Sequence, residues 1–235
     1  MAKFVLVHGA FQGGWVYARV AAMLRAAGHE VYSPTLTGLG ERSHLVDRAI
    51  NLDTHIRDIV NVFKWEGITD AILCGHSYGG MVITGVAHDI GEHIRTLVYI
   101  DAFAPAAGQS LIDLGSAETA LAYLDQARGH GGMIPPFPAA LFNVNEADAA
   151  WVDAMSVPQP LATFVQAVRA GADSAPVANR SYVFASANGG DWFVSTHARL
   201  KAHPEWQVHE IPCGHEIMLD RPRELTALLL AEAMR

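Results

Sequence analysis

Residues 75–79 read Gly-His-Ser-Tyr-Gly, a pattern that can turn a serine hydroxyl into a nucleophile. An apolar run, Ala71 to Cys74, precedes the pattern, and a second begins at Met81. A strand that passes straight into a helix forces the residue at the apex, Ser77, into a strained backbone conformation. Glycines two before and two after it let strand and helix approach without Cβ clashes. Ser77 then stands above the sheet, over a helix N-terminus that favours negative charge.

A serine hydroxyl is a weak nucleophile unless a base takes its proton, and the base needs an orienting acceptor. With 12 histidines in the chain, position must choose. His215 follows the last expected strand, beside Gly214, where a loop can return over Ser77. His8 and His76 lie in loops too short to present a mobile imidazole and read as packing and hydrogen-bonding residues. Asp101 ends the strand expected to neighbour the Ser77 strand and is the first choice of acid. Asp191 and Asn188, after a later strand, remain alternatives. An oxyanion needs preorganised donors. The N–H of Tyr78, next to the nucleophile, is one, and the N–H of Ala10, in the loop after the first strand, is the other. Phe11 flanks that loop and reads as substrate-binding, as does Phe164 further along. No histidine spacing suggests a metal site, and the G-x-G-x-x-G spacing of a dinucleotide loop is absent.

These residues need a sheet to hold them. Phe4–Val7, Glu30–Ser33, Ala71–Cys74, Thr96–Ile100, Tyr182–Ala185 and Gln207–Ile211 read as buried strands. Helices are expected between them, from Trp15 to Ala27, from a cap at Asn51 or Asp53 to Trp65, from Met81, from Asp191 to Ala202, and from Pro222 to Ala233. Alternating strands and helices give an α/β fold, a mostly parallel sheet with helices on both faces. Such sheets place ligands at the C-terminal ends of their strands, where His8, Ser77 and Asp101 fall. From 103 to 180 the pattern changes. No clear strand is visible, and the helix-like pieces Leu111–Leu114, Glu118–Ala127, Glu146–Met155 and Leu161–Val168 are separated by loops. This stretch reads as a helical cap inserted into a core made of 1–102 and 181–235. Its residues Phe137, Phe142, Trp151, Met155 and Phe164 are candidates for an apolar pocket or for packing of the cap itself.

The chain has 235 residues, 51% hydrophobic and 17% charged, with room for a large core. A net charge of -8 without a Lys/Arg cluster argues against nucleic-acid partners. Cys74 and Cys213 give no disulfide framework and read as free thiols in a reducing compartment. No signal peptide or apolar span of ~18 residues is visible, so a cytoplasmic location is expected.

His-Gly-Ala-Phe-Gln-Gly-Gly-Trp (8–15), Gly-His-Ser-Tyr-Gly-Gly-Met-Val (75–82), Pro-Leu-Ala-Thr-Phe (160–164) and Gly214-His215 together resemble the α/β-hydrolase superfamily. They resemble most its plant methylesterase and hydroxynitrile-lyase branch and similar bacterial esterases. The resemblance implies the eight-stranded hydrolase fold without its first two strands, a helical cap, no cofactor, and Ala10 and Tyr78 as oxyanion donors. Two departures stand out. The plant enzymes carry their acid after the strand matched by Tyr182–Ala185, where this chain has Asn188. The lyase branch has Thr after the first-strand His and Lys after the catalytic His, where this chain has Gly9 and Glu216. The expected activity is hydrolysis of a small, fairly apolar carboxylic ester, or a carbamate-like acyl compound, through an acyl-enzyme. A lyase of the same architecture and a non-catalytic sensor of small ligands are the alternatives.

Overall fold

A computed structural model describes residues 1–188 and 193–235. Eight strands occur in chain order among them: β1 (Lys3–Val7), β2 (Glu30–Tyr32), β3 (Ala71–His76), β4 (Ile94–Ile100), β5 (Met133–Ile134), β6 (Gln159–Pro160), β7 (Asn179–Ala185) and β8 (Trp206–Ile211). The helices are α1 (Ala18–Ala26), α2 (Leu52–Trp65), α3 (Gly79–Ile90), α4 (Ala117–Gly129), α5 (Glu146–Met155), α6 (Ala162–Val165), α7 (Val194–Lys201), α8 (Ile217–Asp220) and α9 (Pro222–Glu232). Six strands form one sheet in the order β2-β1-β3-β4-β7-β8, with every neighbouring pair parallel. The order reverses at β1 and β3, so ligands are expected at the strand ends there.

Side chains alternate across the sheet because a strand has period two. Val5, Val7, Leu73, Leu97 and Tyr99 face one core, where Ile59, Phe63, Met81 and Val86 of α2 and α3 pack. Phe4, Leu6, Ile72, Cys74, Val98 and Ile100 face the other, against Val20 and Leu24 of α1 and Leu225 and Leu229 of α9. Of the two cap residues expected for α2, Asn51 serves. Its side chain accepts from Thr54 N, and Thr54 Oγ1 accepts from Asn51 N.

The structure corrects the sequence reading in four places. The first helix is entered through a 3₁₀ turn, Gly14–Tyr17, and α1 starts only at Ala18. The cap does contain strands. β5 and β6 pair antiparallel, each only two residues long and too short to show a period. The expected helix 161–168 shrinks to α6 because Gln166 is extended, its side chain accepting from Asp53 N at the start of α2. β7 begins at Asn179, two residues inside the stretch assigned to the cap. The expected cap at Asp191 lies outside the described residues. Among the described residues no helix is long and apolar enough to cross a membrane.

Candidate active site

Five non-glycine residues have left-handed backbone among the described residues, and three of them sit just beyond neighbouring strands. Phe11 (φ 67°) follows β1, Ser77 (φ 50°) follows β3, and Asp101 (φ 40°) follows β4. Each such residue costs about 1–3 kcal/mol and persists only where its surroundings over-determine it. At Ser77 those surroundings are visible. Ser77 N–H donates to Ile100 O (3.3 Å), and Ser77 O accepts from Gly80 N (3.0 Å) and Phe103 N (3.2 Å). A Cβ on Gly75 would stand 2.6 Å from Gly79 O, and one on Gly79 would stand 2.8 Å from His8 O. The sharp strand-to-helix turn therefore requires both glycines, as the motif implied.

The buried carboxylate of Asp101 is held from three sides. Its Oδ1 accepts from Ala185 N (3.1 Å), and its Oδ2 from Asn188 Nδ2 (2.9 Å) and from His215 Nδ1 (2.6 Å). An unpaired buried carboxylate would cost several kcal/mol, and these donors offset it. Of the three positions left open for the acid, Asp101 therefore meets His215. Asn188 is Asp101's hydrogen-bond donor, and Asp191 lies outside the described residues. Burial pushes the His215 pKa down, but the hydrogen bond to Asp101, the charge of Asp101 and that of Glu216 outweigh it, so the net shift is upward. The ring stacks on Phe193 (5.3 Å, 10°) and tilts against His76 (4.4 Å).

The loop after β1 is clamped by the cap. Phe11 N–H donates to Gln159 Oε1 (2.8 Å), and Phe11 O accepts from Val157 N (2.8 Å). Gln159 is itself buried, and its Nε2 donates to Thr163 Oγ1 (2.9 Å). The Phe11 N–H is thus engaged away from the pocket, while Ala10, the expected donor of this loop, is part of the pocket lining. Ala10, Phe11, Ser77, Tyr78, Phe164 and His215 all line one pocket. Phe137 and Phe142 of the cap line it too, and Phe11 meets Phe137 and Phe164 edge to face. Trp151 and Met155 do not. Both are partly exposed, and Trp151 packs on Trp15 (4.7 Å), which ties the cap to the core.

Buried polar groups surround the base. His8 accepts from Leu36 N at Nε2 and bonds Gly9 O through Nδ1, and burial lowers its pKa to about 3. His55, lowered to about 4 by burial, joins Thr37 O to the Tyr78 hydroxyl. His76, also held neutral by burial, donates from Nε2 to His215 O (3.1 Å). Both His8 and His76 are thus the hydrogen-bonding residues expected. Glu216 is buried beside them. Burial raises its pKa, and Gln12 Nε2 donates to its Oε1 at 2.5 Å.

The cap also grips the loop that carries His215. His215 N donates to Phe142 O (3.0 Å), and Asn143 Nδ2 donates to Ala187 O (2.7 Å). Asp220 accepts from Gly214 N and from Asn145 Nδ2, while Arg19 holds Asp148 with two hydrogen bonds. Sequence reading missed Gln12, Gln159 and the supporting role of Asn188. Each acts through a partner more than 80 residues away, which leaves no local pattern.

The profile of the alpha/beta hydrolase family matches residues 4–228. The chain is 44% identical over 243 residues to the carbendazim hydrolyzing esterase of Nocardioides sp. (strain SG-4G), covering 98% of this chain and 99% of that one. It is 32% identical over 105 residues to methylesterase 7 of Arabidopsis thaliana, 44% of this chain and 40% of that protein. Among solved structures, an extracellular alpha/beta-hydrolase from a Paenibacillus species superposes with a TM-score of 0.82 at 24% identity, covering 98% of each chain.

Proposed function

The chain belongs to the alpha/beta hydrolase family, and we propose that it is a serine esterase in which Ser77, His215 and Asp101 act together on a small, fairly apolar ester. The observation that carries this is the 2.6 Å contact between His215 Nδ1 and Asp101 Oδ2, in the pocket that also holds Ser77. That contact leaves His215 Nε2 as the nitrogen to take the Ser77 proton. Ser77 Oγ attacks the carbonyl carbon, and the N–H groups of Ala10 and Tyr78 receive the oxyanion. Collapse breaks the ester bond, and His215 hands its proton to the departing alkoxide. Water then adds to the acyl-enzyme with His215 again as base, releasing the acid and restoring Ser77. Phe11 and Phe164 would hold the apolar part of the substrate.

The 44% identical esterase supports hydrolysis and makes carbendazim the first substrate to try, beside p-nitrophenyl acetate and butyrate. The lyase reading is not adopted. Where that branch carries a lysine ammonium, this chain buries the Glu216 carboxyl. The test is labelling with a fluorophosphonate probe, read by peptide mass spectrometry. A covalent adduct on Ser77, and hydrolysis lost on its formation, is the expected result. A silent Ser77 in protein that binds small esters would support the sensor instead.

A further inference from the structure

His76, His215 and Glu216 come together beside Ser77 in a way the proposed hydrolysis does not use. One ligand atom of each lies within 4.8 Å of the others, and all three residues are buried. His76 Nδ1 and Glu216 Oε2 stand 4.0 Å apart, too far for a hydrogen bond. Both atoms are buried and, among the described residues, neither has a hydrogen-bond partner. Unpartnered buried polar atoms are costly, so a pair facing each other calls for an occupant.

We propose that His76, His215 and Glu216 form a binding site for one divalent transition-metal ion of the zinc type, and that an ion there switches hydrolysis off. Two imidazoles and one carboxylate are a donor set that Zn²⁺ favours, and one that Mg²⁺ and Ca²⁺ do not. Ligand atoms about 2.0–2.2 Å from a tetrahedral zinc ion stand about 3.3–3.6 Å apart, so the three side chains would draw together by about half an ångström to one ångström around the ion. The outer atom of each ligand is already committed. His215 Nδ1 is held by Asp101 at 2.6 Å, His76 Nε2 by His215 O at 3.1 Å, and Glu216 Oε1 by Gln12 Nε2 at 2.5 Å. Metal-binding side chains are oriented by such outer hydrogen bonds, and here they leave His76 Nδ1 and Glu216 Oε2 facing one another, with the His215 ring beside His76. All three residues line the pocket that holds Ser77, so an ion enters by the substrate's route.

The lone pair that His215 can offer an ion is on Nε2, the one the base uses on Ser77. Occupation therefore removes the base without touching the serine. The sequence hid this site because His76 and His215 lie 139 residues apart. The binding half of the inference stands on geometry alone. The inhibition half rests on His215 being the base.

Binding is measured on the Ser77→Ala protein, stripped with chelator and titrated with ZnCl₂ in a calorimeter, with MgCl₂ as control. One Zn²⁺ per chain is expected, with no heat from Mg²⁺. X-ray absorption at the zinc edge should show two imidazole nitrogens and oxygen. Adding Glu216→Gln, which keeps the shape and the amide contact, should weaken Zn²⁺ at least 10-fold, and so should His215→Asn. In the unsubstituted enzyme, Zn²⁺ should suppress ester hydrolysis reversibly, and chelator should restore it. No stoichiometric binding, thiolate ligands in the spectrum, or an affinity unchanged by both substitutions would overturn the site. An unchanged affinity would place the ion on surface histidines. Failure of the hydrolase reading would appear separately, as a Ser77 that the fluorophosphonate probe leaves unlabelled.

Discussion

The turn after β3 and the cap above it hold their residues by different means. Every residue of β3 is buried, as is every residue of α3 from Gly79 to Ala87. Two glycines close the turn with no room for a Cβ, and Ser77 is held in left-handed backbone. In α4 of the cap only Ala127 is buried, and Leu121, Leu124, Leu141 and Val165 lie exposed across the cap. Strained backbone fixes the reacting atoms, whereas side chains of the cap, Phe137, Phe142 and Phe164 among them, shape the space for substrate. The division is not complete, because Gln159 and Val157 of the cap hold the Phe11 backbone.

The sharpest contrast is Ser77→Ala. It should lower kcat on the order of 10⁶-fold, with His215→Ala alike and the double variant little worse, because a triad acts as a unit. Steady-state rates of purified, folded variants check this, and appreciable activity in Ser77→Ala would end the assignment.

Asp101→Asn comes next, with an expected loss of ~10⁴-fold in kcat as the imidazole loses its proper tautomer. Asn188→Ala should cost less, since it removes one of three donors to Asp101 and no charge. The exchange Asp101→Asn with Asn188→Asp should recover part of the loss, because it returns a carboxylate to the cluster. Recovery no better than Asp101→Asn alone would show that the carboxylate works only from β4.

Whether the cap takes part in the chemistry is tested by Gln159→Leu. Freeing the Phe11 N–H should loosen the oxyanion loop and lower kcat about 10- to 100-fold, less than the ~10²–10³ of losing an oxyanion donor outright. KM should move little. A change in KM alone would make Gln159 part of the substrate wall and leave the cap outside catalysis.

The smallest effect is in the pH profile. Protonated His215 cannot take a proton from Ser77, so kcat/KM should rise with pH to a plateau. Its midpoint should lie above the ordinary imidazole range, because Asp101 and Glu216 favour the charged imidazole more than burial disfavours it. His76, facing the same ring, is held neutral by burial and by the neighbouring His215. Glu216→Gln removes one favouring charge and should move the midpoint down. A midpoint that stays put would remove Glu216 from the electrostatics of the base.

The alternation of strands and helices, the Ser77 turn and the loop of His215 were legible because each is written in contiguous residues. Asp101 could be read as a strand end and made the first choice of acid, but Asp191 and Asn188 could not be dismissed, and Asn188 shows why. Asn188 and Asp101 both lie at the C-terminal edge of neighbouring strands, and only the rotamers show which one faces the imidazole. The choice between Asn51 and Asp53 as helix cap was open for a similar reason. In the cap the reading was weakest. β5 and β6 are two residues each, and Trp151 and Met155 are as apolar as Phe137, so composition alone could not separate outer packing from pocket wall. Gln159 gave no signal, since a buried glutamine is recognised only by its partner in a distant loop.

The grip of the cap on the base has a consequence for traffic. His215 hangs by its amide from Phe142, and Gly214 is tied through Asp220 to Asn145. Swinging segment 142–148 outward would therefore drag the base off station, and a doorway on that side would disarm the enzyme whenever it opened. Leu111, Leu114 and Tyr123 also line the pocket, and among the described residues no hydrogen bond ties them to His215; α4, which carries Tyr123, is mostly exposed. Passage on the α4 side would leave these bonds to the base intact, whereas passage on the α5 side would break them.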